Sequence, residues 1–355
     1  PTSRSGHRWR RRCRRGPDVT LALVVAGAVM VALTAYVLMG GADFGGGVWD
    51  LFASGPRKQQ QRALIAEAIG PIWEANHVWL ILVVVLLFVC FPPAFARISV
   101  ALHIPLTLML IGIVLRGSAF TFRTYDSQKD EVQRRWGLLF SWASLITPLL
   151  LGVSAGAVVT GNLPAAPPTG FMEGFVTPWL QPFPFAVGLL ALALMAFLAA
   201  VYLAVEAFAG DLQDDFRARA LLSGVAVFAA AMLTLALSRR GAPIVWEGLT
   251  SSWWAPFYHL TVGATALVAF WGLWARRARL ARLAAVAQAT LILWGWAAVQ
   301  YPYLIPSDLT IENSAAPHVT LKLVFIALVA GLVLLVPSLF YLFRVFKGAP
   351  TERAS

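Results

Sequence analysis

Charge is what this sequence has little of. Only 13% of its 355 residues are Asp, Glu, Lys or Arg, whereas a soluble domain carries about 25% to keep its surface in water. A chain this poor in charge is not a water-soluble enzyme. Cysteine is nearly absent as well: Cys13 lies in a leading tail and Cys90 in an apolar run. That excludes a disulfide framework, and no cysteine spacing suits a structural metal. Cys90 reads as a small packing residue. There is no C-x-x-C-H haem-attachment motif, no His pair or His/Met spacing that would select a haem site, and no convincing internal repeat.

What fills the space is apolar. Hydrophobic residues make up 59% of the chain, and the mean hydropathy is +0.72. The expected class is an all-α integral membrane protein. About 20 apolar residues cross the hydrocarbon layer at 1.5 Å per residue, and that ruler predicts about nine transmembrane helices. They fall near 19–42, 77–96, 98–119, 136–159, 184–208, 218–238, 256–275, 280–300 and 318–343, the first continuing as helix to about Phe52. The expected organisation is a basic tail (1–18), helices 1–4 (19–159), a loop (160–183), helices 5–8 (184–300), a second loop (301–317), helix 9 (318–346) and a short tail (347–355). Two four-helix groups plus one peripheral helix would accommodate these spans.

The basic residues orient the spans. Arg57, Lys58 and Arg62; Arg123, Lys129, Arg134 and Arg135; Arg217 and Arg219; Arg276, Arg277, Arg279 and Arg282; and Arg344, Lys347 and Arg353 all fall on one side. The other side carries Arg97, Arg239 and Arg240 once the leading tail is set apart. The positive-inside rule puts the richer side, and the C-terminus, in the cytoplasm. The net charge of +11 is thus a topology signal and does not imply nucleic acid as a partner. The tail "RWRRRCRRG" conflicts with this orientation, since residues 4–15 hold seven arginines. Two readings are open: a cytoplasmic tail with one span miscounted, or a gene start placed too early, with translation beginning near Val19. Agreement among the later loops favours the second.

Polar residues inside apolar runs are costly and hence informative. The first span closes as "YVLMGGADFGGGVWDLF", in which Asp43 and Asp50 are seven apart and share a helix face. Its glycines suit close helix packing. The second span opens as "GPIWEANHVWLI". Pro71 fits a first helical turn, Glu74 lies in the first turns, and His77 at i+3 can touch it. Arg116, in "LRGSAFTFRTYD", is deep for a flanking charge; it either snorkels or pairs with Asp43 or Glu74. Glu206 is a further acid near the basic end of the fifth span. Asp43, Glu74, His77, Asp50, Arg116 and Glu206 are the candidates for a proton path. His103, His259 and His318 fall near outer span ends; each could bind haem iron, though a lone histidine in an apolar run is more often a hydrogen-bonded packing residue. The tryptophans read as interfacial anchors.

Four segments carry a resemblance: "GGADFGGG", "GPIWEANHVWL", "RGSAFTFR" and "YPYLIPSDLTIENSAAPHVTL", in this order from about Val19 to Phe346. Together they resemble subunit II of the bacterial cytochrome bd-type quinol oxidases. The resemblance implies a multi-pass protein of the bacterial cytoplasmic (inner) membrane, paired with a subunit I that carries haems b and d and the quinol-oxidising loop. Such a complex oxidises ubiquinol or menaquinol, reduces oxygen to water and draws protons from the cytoplasm, so turnover is electrogenic without a pump. This chain would be haem-poor and not catalytic alone. Small single-span subunits, lipid and a structural quinone of unplaced site are further implied partners. Acids at the Asp43 and Glu74 positions are implicated in proton intake in the family.

Two departures stand out. Many relatives have an acid three residues before the Asp43 position, where this chain has Gly40. They commonly read Trp-Asp-Gly-Asn where this chain reads Trp73-Glu74-Ala75-Asn76; glutamate keeps the carboxylate but reaches about one methylene further. Two rival readings are a proton-coupled secondary transporter, which would ordinarily show a repeat and a midplane site, and a structural scaffold in which the acids serve assembly.

Overall fold

The computed structural model of the chain describes residues 17–70, 73–125, 130–165, 168, 170–207, 210–306 and 308–347, and within these the side chains of 17–19, 74, 123–125, 130–134, 339 and 342–347 are left aside. The arginine tail with Cys13, Lys129 and Arg353, and the side chains of Glu74, Arg123, Arg134, Arg344 and Lys347 therefore lie outside the described residues. The helices are α1 (Pro17–Leu51), α2 (Lys58–Ile69), α3 (Trp73–Cys90), α4 (Pro92–Ala101), α5 (His103–Tyr125), α6 (Asp130–Val159), α7 (Phe171–Phe175), α8 (Pro182–Glu206), α9 (Asp211–Gly241), α10 (Pro243–Thr250), α11 (Ala255–Trp274), α12 (Ala278–Gln300) and α13 (His318–Lys347). Eight are long and apolar enough to cross a membrane, or nine if the bent pair α3–α4 forms one span. The chain is an all-α membrane protein.

The bend corrects the expected second and third spans. The run 77–96 is not one helix: α3 ends at Cys90, the axis turns by 118°, and α4 begins at Pro92. The cause is local. Proline disfavours helical geometry in the residue before it, and Phe91 sits at φ −135°, ψ 56°. Hydropathy ran through the elbow because "PPAFARISVA" is itself apolar, and it placed the third span at 98 where α5 starts only at His103. Two short helices, α2 and α10, also occupy what the sequence offered as plain connections. α2 is amphipathic, burying Gln61, Ile65 and Ile69 at i, i+4 and i+8.

The glycine-rich end of α1 is the hub of the packing. A Cβ at Gly41 would lie 2.6 Å from Leu198 of α8, and one at Gly46 would lie 2.7 Å from Ile69 of α2. At Gly45 it would overlap the Met195 carbonyl of α8, and at Gly47 the Ser144 hydroxyl of α6. Side chains here would hold three neighbouring helices away. Trp49 fixes the α1–α8 contact by donating Nε1–H to the Ala196 carbonyl at 2.7 Å. α6 packs against both α5 and α8, α8 against α9 and α12, and α11 against α12. α13 is peripheral: only 6% of its apolar window is buried in this chain.

At the end away from the basic side, the second loop folds onto the elbow. β1 (Tyr303–Ile305) and β2 (Leu309–Thr310) pair antiparallel. The Ala316 amide donates to the Cys90 carbonyl at 2.8 Å, capping the end of α3. Arg97 of α4 holds Asp308 at 2.6 Å.

Candidate functional site

α1 packs against α3 and α6, and Arg116 of α5 reaches into the same space; together they enclose Asp43. The carboxylate is fully buried (0% exposed), and Arg116 of α5 is 1% exposed. The two form an ion pair, Arg116 Nη2 to Asp43 Oδ1. The same Nη2 donates to the Asp43 backbone carbonyl at 2.9 Å, and Nε donates to Ser144 Oγ at 2.9 Å. Asn76 of α3 donates from Nδ2 to Asp43 Oδ2 at 3.2 Å. The guanidinium also lies 4.8 Å from the ring centres of both Phe44 and Phe140, a desolvated cation–π sandwich. Arg116 therefore pairs with Asp43 and does not snorkel. Each charge is matched and hydrogen-bonded, the condition under which buried charges persist.

Asp50 lies two turns further along α1, about 10.5 Å by helical rise, and is likewise buried (0% exposed). Ser141 Oγ is 3.0 Å from Asp50 Oδ2 and 2.9 Å from the Gly137 carbonyl, with one proton to give to either. Arg62 of α2 reaches the same carboxylate from the basic end, Nε to Oδ1 at 3.6 Å. Ser141 and Ser144 are one turn apart on α6, so that single helix contacts both acid clusters. The serines, Asn76 and Arg62 were not legible as site residues. Ser141 is 91 positions from the Asp50 it meets and Ser144 is 28 from Arg116, and serine is ordinary in membrane helices.

The remaining candidates divide. His77 is half-buried on α3, and its Nδ1 meets the Trp73 carbonyl at 2.6 Å; it turns to its own helix, and Asn76 is the α3 residue that reaches Asp43. Glu74 is placed by its backbone in the first turn of α3. Glu206 is half-buried as the last residue of α8. It sits beside the α8–α9 connection, where Gln213 Nε2 donates to the Ala204 carbonyl at 2.9 Å.

Two buried acids, a matched arginine and bridging hydroxyls at one end of a membrane bundle can hold or move protons. The family model described as cytochrome bd terminal oxidase subunit II matches residues 21–346. The chain belongs to this family.

Its relatives span it unevenly. The putative cytochrome bd menaquinol oxidase subunit II of Bacillus subtilis (strain 168) is 22% identical over 92% of this chain and 96% of its own length. The cytochrome bd ubiquinol oxidase subunit 2 of the same organism is 32% identical, over 35% of this chain and 36% of the relative. The Escherichia coli (strain K12) cytochrome bd-I ubiquinol oxidase subunit 2 is 28% identical over 38% of this chain and 34% of the relative. These last two matches thus cover only about a third of each relative. A bd oxidase from Geobacillus thermodenitrificans shares the fold, with TM-score 0.76 and 22% identity over 92% of this chain and 99% of that one.

The name cytochrome bd raises the question of haem. His103 Nδ1 meets the Val100 carbonyl at 2.9 Å, and His259 Nε2 meets the Leu249 carbonyl at 2.8 Å. Like His77, each spends one ring nitrogen on backbone. Among the described residues no group of three or more His, Cys, Asp or Glu side chains could hold a metal ion.

Proposed function

We propose that this chain is the haem-poor subunit II of a bd-type quinol:oxygen oxidoreductase in the bacterial inner membrane, paired with a haem-bearing subunit I. The partner's haems b and d supply electron transfer and oxygen chemistry, with ubiquinol or menaquinol as donor. What this chain contributes is a proton path from the cytoplasm, opening at the basic end of the bundle and running through Asp50, Glu74 and Asp43. The C-terminus lies on that same side. A structural quinone, small single-span subunits and lipid belong to the same reading.

One observation carries it: the Asp43–Arg116 pair buried in the membrane bundle, with Asp50 two turns nearer the basic end. Burying charge costs several kcal/mol per ion even after relaxation, and apolar residues would pack these helices at lower cost. A scaffold needs neither acid. A transporter would place its polar groups around a midplane site, whereas these gather toward one end. The hydroxyl of Ser141, able to donate to Asp50 or accept from it, is the kind of group that passes protons between carboxylates and water.

The test is made on the assembled two-subunit complex. Glu74→Gln and Asp43→Asn keep shape and remove titration. Each should slow quinol-driven oxygen consumption per assembled complex at least tenfold, about 1.4 kcal/mol on the limiting step; Glu74→Gln should leave haem content and complex yield unchanged, whereas Asp43→Asn leaves Arg116 buried without its counter-ion and should lower the yield. Full turnover in both variants would remove the path; loss of haem and assembly in both would make the acids structural.

A further inference from the structure

The two Asp–Arg pairs on α1 differ in how tightly they are held. Arg116 is locked: Nη2 and Nε are hydrogen-bonded, its guanidinium is sandwiched between two rings, and 1% of its side chain is exposed. Arg62 is not. Its Nε lies 3.6 Å from Asp50 Oδ1 and makes no hydrogen bond, and its Nη2 is 3.4 Å from the Asp50 carbonyl. These are the outer limits of such contacts. The Arg62 side chain is 27% exposed while Asp50 is 1% exposed, so the arginine stands between the carboxylate and water. It is carried by α2, which lies against the end of α1 through Ile65, Ile69 and the close approach of Ile69 to Gly46. Those contacts fix the helix, whereas the guanidinium it carries is held to Asp50 only by long contacts.

We propose that Arg62 is a positioning residue at the mouth of the path: its guanidinium covers Asp50 as a mobile cationic lid, holding the carboxylate's charge and parting from it to admit a proton from water. This rests on the reading of the α1 acids as a proton path, and it assigns the opening of that path to the Asp50 end. A loose pair suits the task because each proton transfer changes the charge beneath the lid. A clamp as tight as that of Arg116 would hold the carboxylate in one state. Cation and flexible stem are both required, so lysine should serve in part and a neutral side chain should not.

Charge can be restored chemically. Arg62→Cys is made in the two-subunit complex on a Cys13→Ser background; Cys90, the other native thiol, is buried. Inside-out vesicles are treated with a trimethylammonium-ethyl or a sulfonato-ethyl methanethiosulfonate, each of which forms a disulfide with the thiol and releases a sulfinate. The complex lacking the added cysteine is treated in parallel. The untreated variant should lose at least fivefold in quinol-driven oxygen consumption at unchanged haem content. The cationic reagent should restore it to within twofold, the anionic reagent should leave it low, and Arg62→Lys should keep at least half of the turnover. Full turnover in Arg62→Cys, or equal response to both reagents, would overturn the proposal. So would failure of Arg62→Cys and Arg62→Lys alike to assemble, since Arg62 would then be structural. If Asp43→Asn and Glu74→Gln keep full turnover while the charge response at Arg62 persists, the lid stands and the inner path falls.

Discussion

Ser144 is held between Gly47 and Arg116. Its hydroxyl accepts from Arg116 Nε at 2.9 Å and donates to the Phe140 carbonyl at 2.7 Å, and a Cβ on Gly47 would overlap that oxygen. A glycine on α1 thus makes room for the hydroxyl on α6 that orients a buried cation on α5.

Gly47→Ala should therefore act on Arg116 as well as on packing. Ser144 sits on helix backbone and has little room to retreat, so the overpacking should cost about 1–3 kcal/mol. Thermal unfolding of the purified complex should show a lower midpoint than for Gly27→Ala, whose Cβ would meet nothing within 4 Å. Equal midpoints would mean that the three helices shift freely around this contact.

Removing one member of the buried pair is a different perturbation. Arg116→Gln leaves the Asp43 carboxylate buried without its cation, which costs about 3–5 kcal/mol. Complex yield should fall sharply. The double variant Arg116→Gln with Asp43→Asn removes both charges and should recover most of the yield, though not the turnover. Additive losses in this cycle would show that the two residues act independently.

The sequence displayed the fold through two physical signals: run length, and glycine density where α1 must touch three neighbours. It hid the α3–α4 elbow because both arms are apolar, and it hid α2 because a twelve-residue amphipathic helix is shorter than the span ruler. For the site, Asp43, Asp50 and Arg116 stood out because charge at depth is expensive. Their sorting did not: seven-residue spacing put both acids on one face, yet Asp43 meets α3 and α5 while Asp50 meets α2 and α6. Which helices stand beside a face is set by packing between distant segments, and no local pattern encodes it.

The outer loop offers a milder test. Arg97 and Asp308 meet at 2.6 Å with side chains 17% and 45% exposed, and a pair with one partner this open contributes about 0–1 kcal/mol. Arg97→Ala should leave the thermal midpoint almost unchanged. It should speed proteolytic cleavage within 301–317, because one of the ties between the hairpin and the elbow is gone. No change in cleavage would mean that the Ala316–Cys90 hydrogen bond holds the loop unaided.

Asn76 gives the most discriminating substitution. Its Nδ2 donates to Asp43 Oδ2 at 3.2 Å, while its Oδ1 is buried without a hydrogen-bond partner. Asn76→Asp would set a second carboxyl against Asp43 with a single guanidinium between them. Two like charges set this close repel strongly in a buried site, and the lost amide no longer donates to Asp43. Asn76→Asp should therefore lower the thermal midpoint of the complex more than Asn76→Ala, which only removes a hydrogen bond, about 1 kcal/mol. Combining Asn76→Asp with Asp43→Asn exchanges amide and carboxylate across the same contact and should recover part of the loss, because one guanidinium again faces one carboxylate. Equal midpoints for Asn76→Asp and Asn76→Ala would mean that the introduced carboxyl turns away from Asp43, and that Asn76 is not held against the buried pair in the assembled complex.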